Sequence, residues 1–169
     1  MDSVRKIKFF KKLIEVGYKE IEVGFPSASD TDFNFIRELI NDGHIPDDVT
    51  IQVLTQSREE LIIKTIDSLK GSKNAIIHLY NSTSTLQRKV VFKEDMNGVK
   101  KIATDGAKII SDNIGILNNT NVRLEYSPES FTGTELPYAL EVCEEVLDVW
   151  DANELKPVII NLPATVEMS

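Results

Sequence analysis

The sequence predicts an α/β fold in the form of a partial TIM (β/α)8 barrel with about five parallel strands. Helical and strand-like hydrophobic patterns alternate along all 169 residues, with no internal repeat, linker or low-complexity segment. Such alternation indicates parallel strands joined by right-handed helical crossovers. An open doubly wound sheet fits the same pattern. Because a complete barrel needs eight strands and about 250 residues, length alone favours the open sheet.

The polar residues of the strands favour the barrel. Strands of an open parallel sheet are covered on both faces and usually read as continuous apolar runs, whereas barrel strands send alternate residues into a shared interior. Glu20 and Glu22 alternate with Ile21 and Val23 in the first predicted strand. The later strands also carry polar residues, at Gln52, His78, Arg123, Glu125 and Asn161. One face is therefore expected to contact helices and the other to line a polar interior.

Composition and charge limit the possible functions. The net charge of -8 argues against nucleic acid or an anionic membrane as a partner, because both require a basic surface. The single cysteine, Cys143, excludes an internal disulfide and is expected to be a buried thiol in a reducing compartment. No apolar run approaches the roughly 18 residues of a membrane span. We therefore expect one cytoplasmic domain over residues 1–169.

The first half of the chain predicts two helices and two strands. The segment VRKIKFFKKLIEV places Val4, Ile7, Phe10, Leu13 and Ile14 on one helical stripe and ends at Gly17, a typical helix stop. The strand KEIEVGF follows and closes at Pro26. The segment SDTDFNFIRELIND then predicts a helix with a Ser/Asp cap and one apolar face, and TIQVLTQ predicts the next strand. That apolar face consists of Phe33, Ile36, Leu39 and Ile40.

The second half continues the alternation. SREELIIKTIDSLKG predicts a helix with Ser57 as N-cap and Glu60 in the capping-box position. The strand NAIIHLY, a long and mostly helical connection, and the strand VRLEYS follow. A helix beginning near Thr134 and the strand KPVIINLP complete the pattern.

Polar residues recur where the predicted strands end, which is the end at which barrel active sites are built. These residues are Thr55, Gln56, Asn81, Ser127, Glu129 and Asn161. His78 is one of two histidines and is either a hydrogen-bonded core residue or part of a site. Arg123 and Glu125 either form a structural ion pair or line the site.

Ser127 and Glu129 allow two interpretations. They are predicted to follow the strand in a loop stiffened by Pro128, where a carboxylate could act as a base. The alternative is that this loop caps the following helix. No pattern of histidine or cysteine ligands indicates a metal site, and no glycine-rich phosphate loop follows a strand.

Six strings resemble the 2-isopropylmalate synthase family: EIEVGFPSASDTDF, IQVLTQSREELI, IIHLYNSTSTLQRKVVF, IATDGAKI, LEYSPESFTGTEL and INLPATVEMS. The resemblance implies a (β/α)8 barrel of the metal-dependent acyltransferase and lyase superfamily, of which this chain contains strands two to six. Family members condense acetyl-CoA with 3-methyl-2-oxobutanoate to 2-isopropylmalate and CoA. Leucine biosynthesis, a cytoplasmic location and a homodimeric parent are expected with it.

By this resemblance, five residues surround the 2-oxoacid. His78 and Glu129 are the implied catalytic residues, and both also contact substrate, together with Ser127, Asn161 and Thr165. The family binds a divalent metal (Zn, Mg or Mn) through an Asp of its first strand, a His-x-His pair and a later Asn. None of these motifs occurs in this chain, so we expect no metal ligand here and no activity of the chain alone.

Two other functions are compatible with the sequence. A homocitrate or citramalate synthase would keep the superfamily and change only the 2-oxoacid acceptor. A non-catalytic binding module is also possible, since a partial barrel has two open sheet edges that could pair with another chain.

Overall fold

A computed structural model describes residues 2–166. Five parallel strands form one sheet in the order β1-β2-β3-β4-β5. The strands are β1 (Glu20–Gly24), β2 (Thr50–Gln56), β3 (Asn74–Ser82), β4 (Asn121–Glu129) and β5 (Val158–Ile160). The helices are α1 (Ser3–Val16), α2 (Asp30–Asn41), α3 (Glu59–Ser68), the short α4 (Thr85–Gln87), α5 (Met96–Asn113) and α6 (Leu136–Trp150).

The strand order distinguishes the barrel from the open sheet. A doubly wound sheet reverses its strand order at a switch point and so places helices on both faces. Here each strand pairs with the next one along the chain, so right-handed crossovers place the connecting helices on the same face. Within residues 2–166 the other face is left without a helix, as the inner face of a barrel is. The prediction of a partial (β/α)8 barrel with five parallel strands is confirmed.

Burial along the strands follows this division into two faces. In β2 the odd-numbered Ile51, Val53 and Thr55 are buried beneath the helices, while Gln52 and Leu54 are half-buried on the opposite face. We call this opposite face the lumen face. The predicted alternation of apolar and polar faces is therefore confirmed. Leu54, His78 and Glu125 are paired in register across β2, β3 and β4, so they lie on the same face of the sheet.

An ion pair across the lumen face shows that the sheet is curved. Arg123 of β4 contacts Glu20 of β1, although these strands are three positions apart, or roughly 14 Å in a flat sheet. Curvature brings the two side chains together over the intervening strands. Of the two alternatives for Arg123 and Glu125, the ion pair between them is excluded, because Arg123 pairs with Glu20 and Glu125 lies beside His78.

Helix ends mostly follow the predicted signals, with one exception. Gly17 ends α1 at a φ of 110°, and the Ser29 hydroxyl caps α2 by accepting from the Asp32 N–H. The prediction that Ser57 caps α3 is wrong: Arg58 is the N-cap, and the Ser57 hydroxyl donates to the carbonyl of Ile102 in α5.

Gly106 explains why the Ser57 hydroxyl can reach α5. A Cβ at Gly106 would lie 2.0 Å from Ser57 Oγ and 3.2 Å from Leu79 Cδ1. Only a residue without a side chain allows α5 to approach the sheet this closely.

The core lies between the sheet and its helices. Its fully buried members include Ile36, Leu39, Ile51, Ile62, Leu79, Ile110, Tyr126 and Trp150. Two predictions about helix faces need correction: Val4 is 63% exposed, and Phe35 is buried although the predicted α2 face omitted it. Cys143 is buried as predicted, and burial raises the pKa of its thiol to about 11.

The connection from β3 to α5 contains a π-helical turn, Arg88–Phe92. This turn is anchored by an ion pair of Arg88 with Glu135 at 2.7 Å.

Among residues 2–166, no helix is both long enough and apolar enough to cross a membrane.

Removing the buried Leu79 side chain tests this assignment of the core. Leu79→Ala is expected to lower the free energy of unfolding by about 2–5 kcal/mol, because it leaves a cavity between β3 and α5. Leu155→Ala makes the same chemical change at a side chain that is 96% exposed and should change stability by less than about 0.5 kcal/mol. Urea unfolding of both variants measures the difference, and equal effects would contradict the assignment.

Candidate functional site

His78, on the central strand β3, uses both imidazole nitrogens on the lumen face. Its Nδ1 lies 2.8 Å from a carboxylate oxygen of Glu22 on β1. Its Nε2 lies 2.7 Å from the hydroxyl oxygen of Ser127 on β4. The ring is buried, at 9% exposure. His78 is thus a hydrogen-bonded histidine that links β1 to β4, with one edge directed to the carboxyl ends of the strands.

Two glutamates flank this imidazole in different environments. The Glu22 side chain remains 42% exposed; burial raises the pKa of its carboxyl, but hydrogen bonds from His78 and Gln52 outweigh this, and the net pKa is lowered. Glu125 is buried, with Oε1 3.4 Å from His78 Nε2. Burial raises the pKa of the Glu125 carboxyl, and the charge of His78 offsets this only in part.

Ser127 connects His78 to the segment after β5. The Asn161 side-chain amide donates to Ser127 Oγ at 2.8 Å. Tyr126 pairs with Ile160, and the Asn161 N–H donates to the Tyr126 carbonyl. Ser127 and Asn161 are the next residues of the two segments, so they lie side by side on the lumen face. Ser127 is 2% exposed and is held from both sides.

Ser127 and Glu129 lie within β4, and the prediction that they follow the strand in a loop is wrong. Pro128 is compatible with the strand because its nitrogen points the same way as that of Tyr126, towards β5, whose pairing with β4 has ended by then. Its missing N–H therefore leaves no acceptor unpaired. The helix-capping alternative is also excluded, since Glu135 is the N-cap of α6 and no side chain caps that helix end.

Glu129 and Thr165 form the rim of the site at the carboxyl end of β4. Burial raises the pKa of the Glu129 carboxyl, and no hydrogen bond from residues 2–166 reaches its side-chain oxygens. Its negative charge also helps to raise the pKa of Tyr80, after the larger effect of burial. The Ser130 N–H donates to Thr165 Oγ1 at 2.8 Å, which folds the segment after β5 back over the carboxyl end of β4.

One cavity of about 250 Å³ at the carboxyl ends of the strands is lined by all five predicted site residues. These are His78, Ser127, Glu129, Asn161 and Thr165, and the remaining lining residues are Leu54, Tyr80 and Pro163. Thr55 and Asn81 do not contribute, because they lie on the helix face of the sheet. Asn81, for example, donates to the carbonyl of Val99 and accepts from the Tyr126 hydroxyl.

Several residues of this arrangement were not identified from the sequence as site residues. Tyr80 shares the lumen face with His78 and follows it by two positions, so the period of two in a strand could have identified it. Leu54 is apolar and carries no such signal. The pairing of Glu22 with His78 depends on sheet register and curvature, which the sequence pattern does not contain.

The site does not provide a metal centre by itself. No group of three or more histidine, cysteine, aspartate or glutamate side chains within residues 2–166 could hold a metal ion. Glu22 and Glu125 illustrate the reason, because they contact opposite nitrogens of His78 and do not converge on one point.

The buried Glu125 carboxylate gives a pH-dependent prediction. A carboxyl with a raised pKa destabilises the folded state when ionised, and this effect disappears below its ordinary pKa of 4.5. Glu125→Gln should therefore raise the free energy of unfolding at neutral pH and leave it unchanged below pH 4.5. Denaturant unfolding over this pH range measures the effect, with the exposed Glu154→Gln as control. A pH-independent effect would contradict the interpretation.

Known proteins match this chain over 99–100% of its length. The HMGL-like family matches residues 1–169. The chain is 60% identical over 168 residues to a protein named 2-isopropylmalate synthase from Renibacterium salmoninarum, covering 99% of the chain and 29% of that protein. Proteins of the same name from Parafrankia sp. (63% over 170 residues) and Clostridium acetobutylicum (57% over 171 residues) are matched over 100% of the chain and 30% and 31% of their lengths.

The chain thus spans about 30% of the length of the curated relatives it matches. The resemblance found in the sequence to 2-isopropylmalate synthases is confirmed by these matches, and the chain belongs to the HMGL-like family.

Proposed function

We propose that this chain forms the 2-oxoacid-binding part of a 2-isopropylmalate synthase. The observation that carries the proposal is the cavity where His78, Ser127, Glu129, Asn161 and Thr165 meet at the carboxyl ends of the strands. The proposed reaction condenses acetyl-CoA with 3-methyl-2-oxobutanoate and water to give 2-isopropylmalate and CoA.

The cavity suits a small branched 2-oxoacid. Leu54 and Pro163 offer apolar surface to the branched alkyl group. The hydroxyls of Ser127 and Thr165 and the amide of Asn161 are the groups that would meet the carboxylate and carbonyl oxygens. These polar groups come from β4 and from the segment after β5, so one end of the ligand would be held by polar groups and the other by apolar ones.

The chemistry needs proton transfers that fit the titratable residues. A base takes a proton from the methyl group of acetyl-CoA, and that carbon then bonds to the keto carbon of the acceptor. The keto oxygen gains a proton, and water cleaves the thioester to release CoA. Glu129, half-buried on the rim with a raised pKa, and His78 are the residues to which we assign proton transfer at the reacting centre.

A divalent metal would supply polarisation of the keto group when bound. The residues described in this chain do not form a site for it, so its ligands would belong to other parts of the whole protein. The cytoplasmic location and the homodimer remain predictions.

Turnover by the full-length protein tests the function. CoA release should require acetyl-CoA, a divalent metal (Zn²⁺, Mg²⁺ or Mn²⁺) and a 2-oxoacid, with 3-methyl-2-oxobutanoate preferred over pyruvate and 2-oxoglutarate. Preference for pyruvate or 2-oxoglutarate would instead indicate a citramalate or homocitrate synthase. The 169-residue chain assayed alone is expected to release no CoA, and turnover by it would contradict the assignment of metal ligands to other parts of the protein.

Removal of the Ser127 hydroxyl tests the binding role. Ser127→Ala in the full-length protein should raise KM for the 2-oxoacid by up to about tenfold, since a hydrogen bond is typically worth about 0.5–1.5 kcal/mol. Ser111→Ala, on α5 and outside the cavity, is the matched control and should leave KM unchanged. An unchanged KM in Ser127→Ala would remove Ser127 from the binding site.

A further inference from the structure

We propose that Glu22 is a positioning residue: it keeps a proton on His78 Nδ1, so that Nε2 is the nitrogen that gains or loses a proton beside Ser127. Glu22 was not identified as a site residue and lies outside the cavity lining. Its role in the cavity would be exerted entirely through the imidazole. The assignment of the His78 proton does not depend on the proposed function, whereas its consequence for ligand binding rests on that function.

The contact between Glu22 and Nδ1 determines which nitrogen is protonated. An ionised carboxylate only accepts hydrogen bonds, so the 2.8 Å contact requires a proton on Nδ1. The lowered pKa of Glu22 is consistent with an ionised carboxylate. A neutral imidazole carries one proton, and its Nε2 must then be an acceptor.

Gln52 would favour the opposite tautomer if Glu22 were removed. The Gln52 side-chain amide donates to Glu22 at 2.8 Å and lies 3.3 Å from His78 Nδ1. An amide nitrogen is only a donor, so it gains nothing from a protonated Nδ1. Without the Glu22 carboxylate the same amide would donate to an unprotonated Nδ1, and the proton of the neutral ring would move to Nε2.

The protonation state of Nε2 decides what Ser127 offers to the cavity. When Nε2 is unprotonated, it accepts the Ser127 O–H at 2.7 Å. When Nε2 is protonated, it donates to Ser127 Oγ, which also accepts from Asn161. Both acceptor positions of the hydroxyl are then used, and its proton is free to point into the cavity.

The charged groups around the ring come from two strands. Glu22 of β1 faces Nδ1, and Glu125 of β4 faces Nε2 at 3.4 Å. Glu20 and Arg123 contact each other on the same lumen face, nearer the amino ends of β1 and β4. An ionised Glu125 favours a proton on Nε2.

The oxygens of a 2-oxoacid anion are acceptors only, so a cavity that binds it needs donors. Binding should therefore favour the state in which Nε2 is protonated and Ser127 donates into the cavity. It follows that binding of the 2-oxoacid to the protein with a neutral His78 ring takes up one proton there.

Nitrogen-15 NMR of histidine-labelled chain tests the tautomer directly. The chain has two histidines, and His44→Gln leaves only the His78 signals. In alkaline solution, where imidazole is neutral, the wild-type chain should show a protonated Nδ1 and an unprotonated Nε2. Glu22→Ala should exchange the two. Glu20→Ala changes the neighbouring glutamate on the same face of β1 and should leave the wild-type tautomer in place.

Three results would overturn the positioning role. The first is a wild-type ring protonated on Nε2, the second is a ring that keeps both protons in alkaline solution, and the third is an unchanged tautomer in folded Glu22→Ala. The measurement with Glu22 intact does not depend on Glu22→Ala, so the positioning role can still be overturned if that variant fails to fold.

Binding of 3-methyl-2-oxobutanoate to the full-length protein tests the consequence for the ligand. The wild-type dissociation constant should rise with pH in alkaline solution by up to tenfold per pH unit, and Glu22→Ala should lose this dependence. A confirmed tautomer with pH-independent wild-type binding would overturn the ligand consequence while leaving the positioning role intact.

Discussion

The hydrogen bonds of His78 connect the parts on which the site depends. Its imidazole joins Glu22 on β1 to Ser127 on β4, and Ser127 in turn holds Asn161 beyond β5. With Gln52 of β2 included, this network joins all five strands or the segments next to them, and β1, β2 and β4 contact the ring of β3 directly. A buried imidazole needs partners for both nitrogens, because an unpaired buried polar group costs about 1–3 kcal/mol. This requirement fixes the orientation of the His78 ring and of the Ser127 hydroxyl in the cavity wall.

Curvature of the sheet makes these contacts possible. Helices on a single face leave the other face concave, and the ion pair between Arg123 and Glu20 crosses the intervening strands. Polar side chains that a flat sheet would expose to solvent instead contact one another. Polar groups therefore line the base of the cavity, while Leu54 and Pro163 give it an apolar side. This asymmetry matches a ligand with one charged and one aliphatic end.

Much of the fold could be predicted from the sequence, because the alternation of polar and apolar residues in β1, β2 and β4 reports directly on which face each side chain occupies. The site was harder to predict from the sequence. Asn81 and Ser127 both follow the apolar part of a strand, and only counting from His78 separates them: Asn81 lies three positions away on the same strand, so it faces the helices. Thr165 reaches the rim because a backbone N–H at Ser130 binds its hydroxyl, a contact between distant segments that no local pattern encodes. Family resemblance, rather than periodicity, indicated that residue.

The proposed function requires the cavity at the carboxyl ends of β3 and β4 to bind a branched 2-oxoacid. The crystal structure of the full-length protein soaked with 3-methyl-2-oxobutanoate tests this most directly. Ligand density is expected against Ser127, Asn161 and Thr165, with the alkyl group towards Leu54 and Pro163. Density for the 2-oxoacid at another place in the protein, with this cavity holding only water, would contradict it.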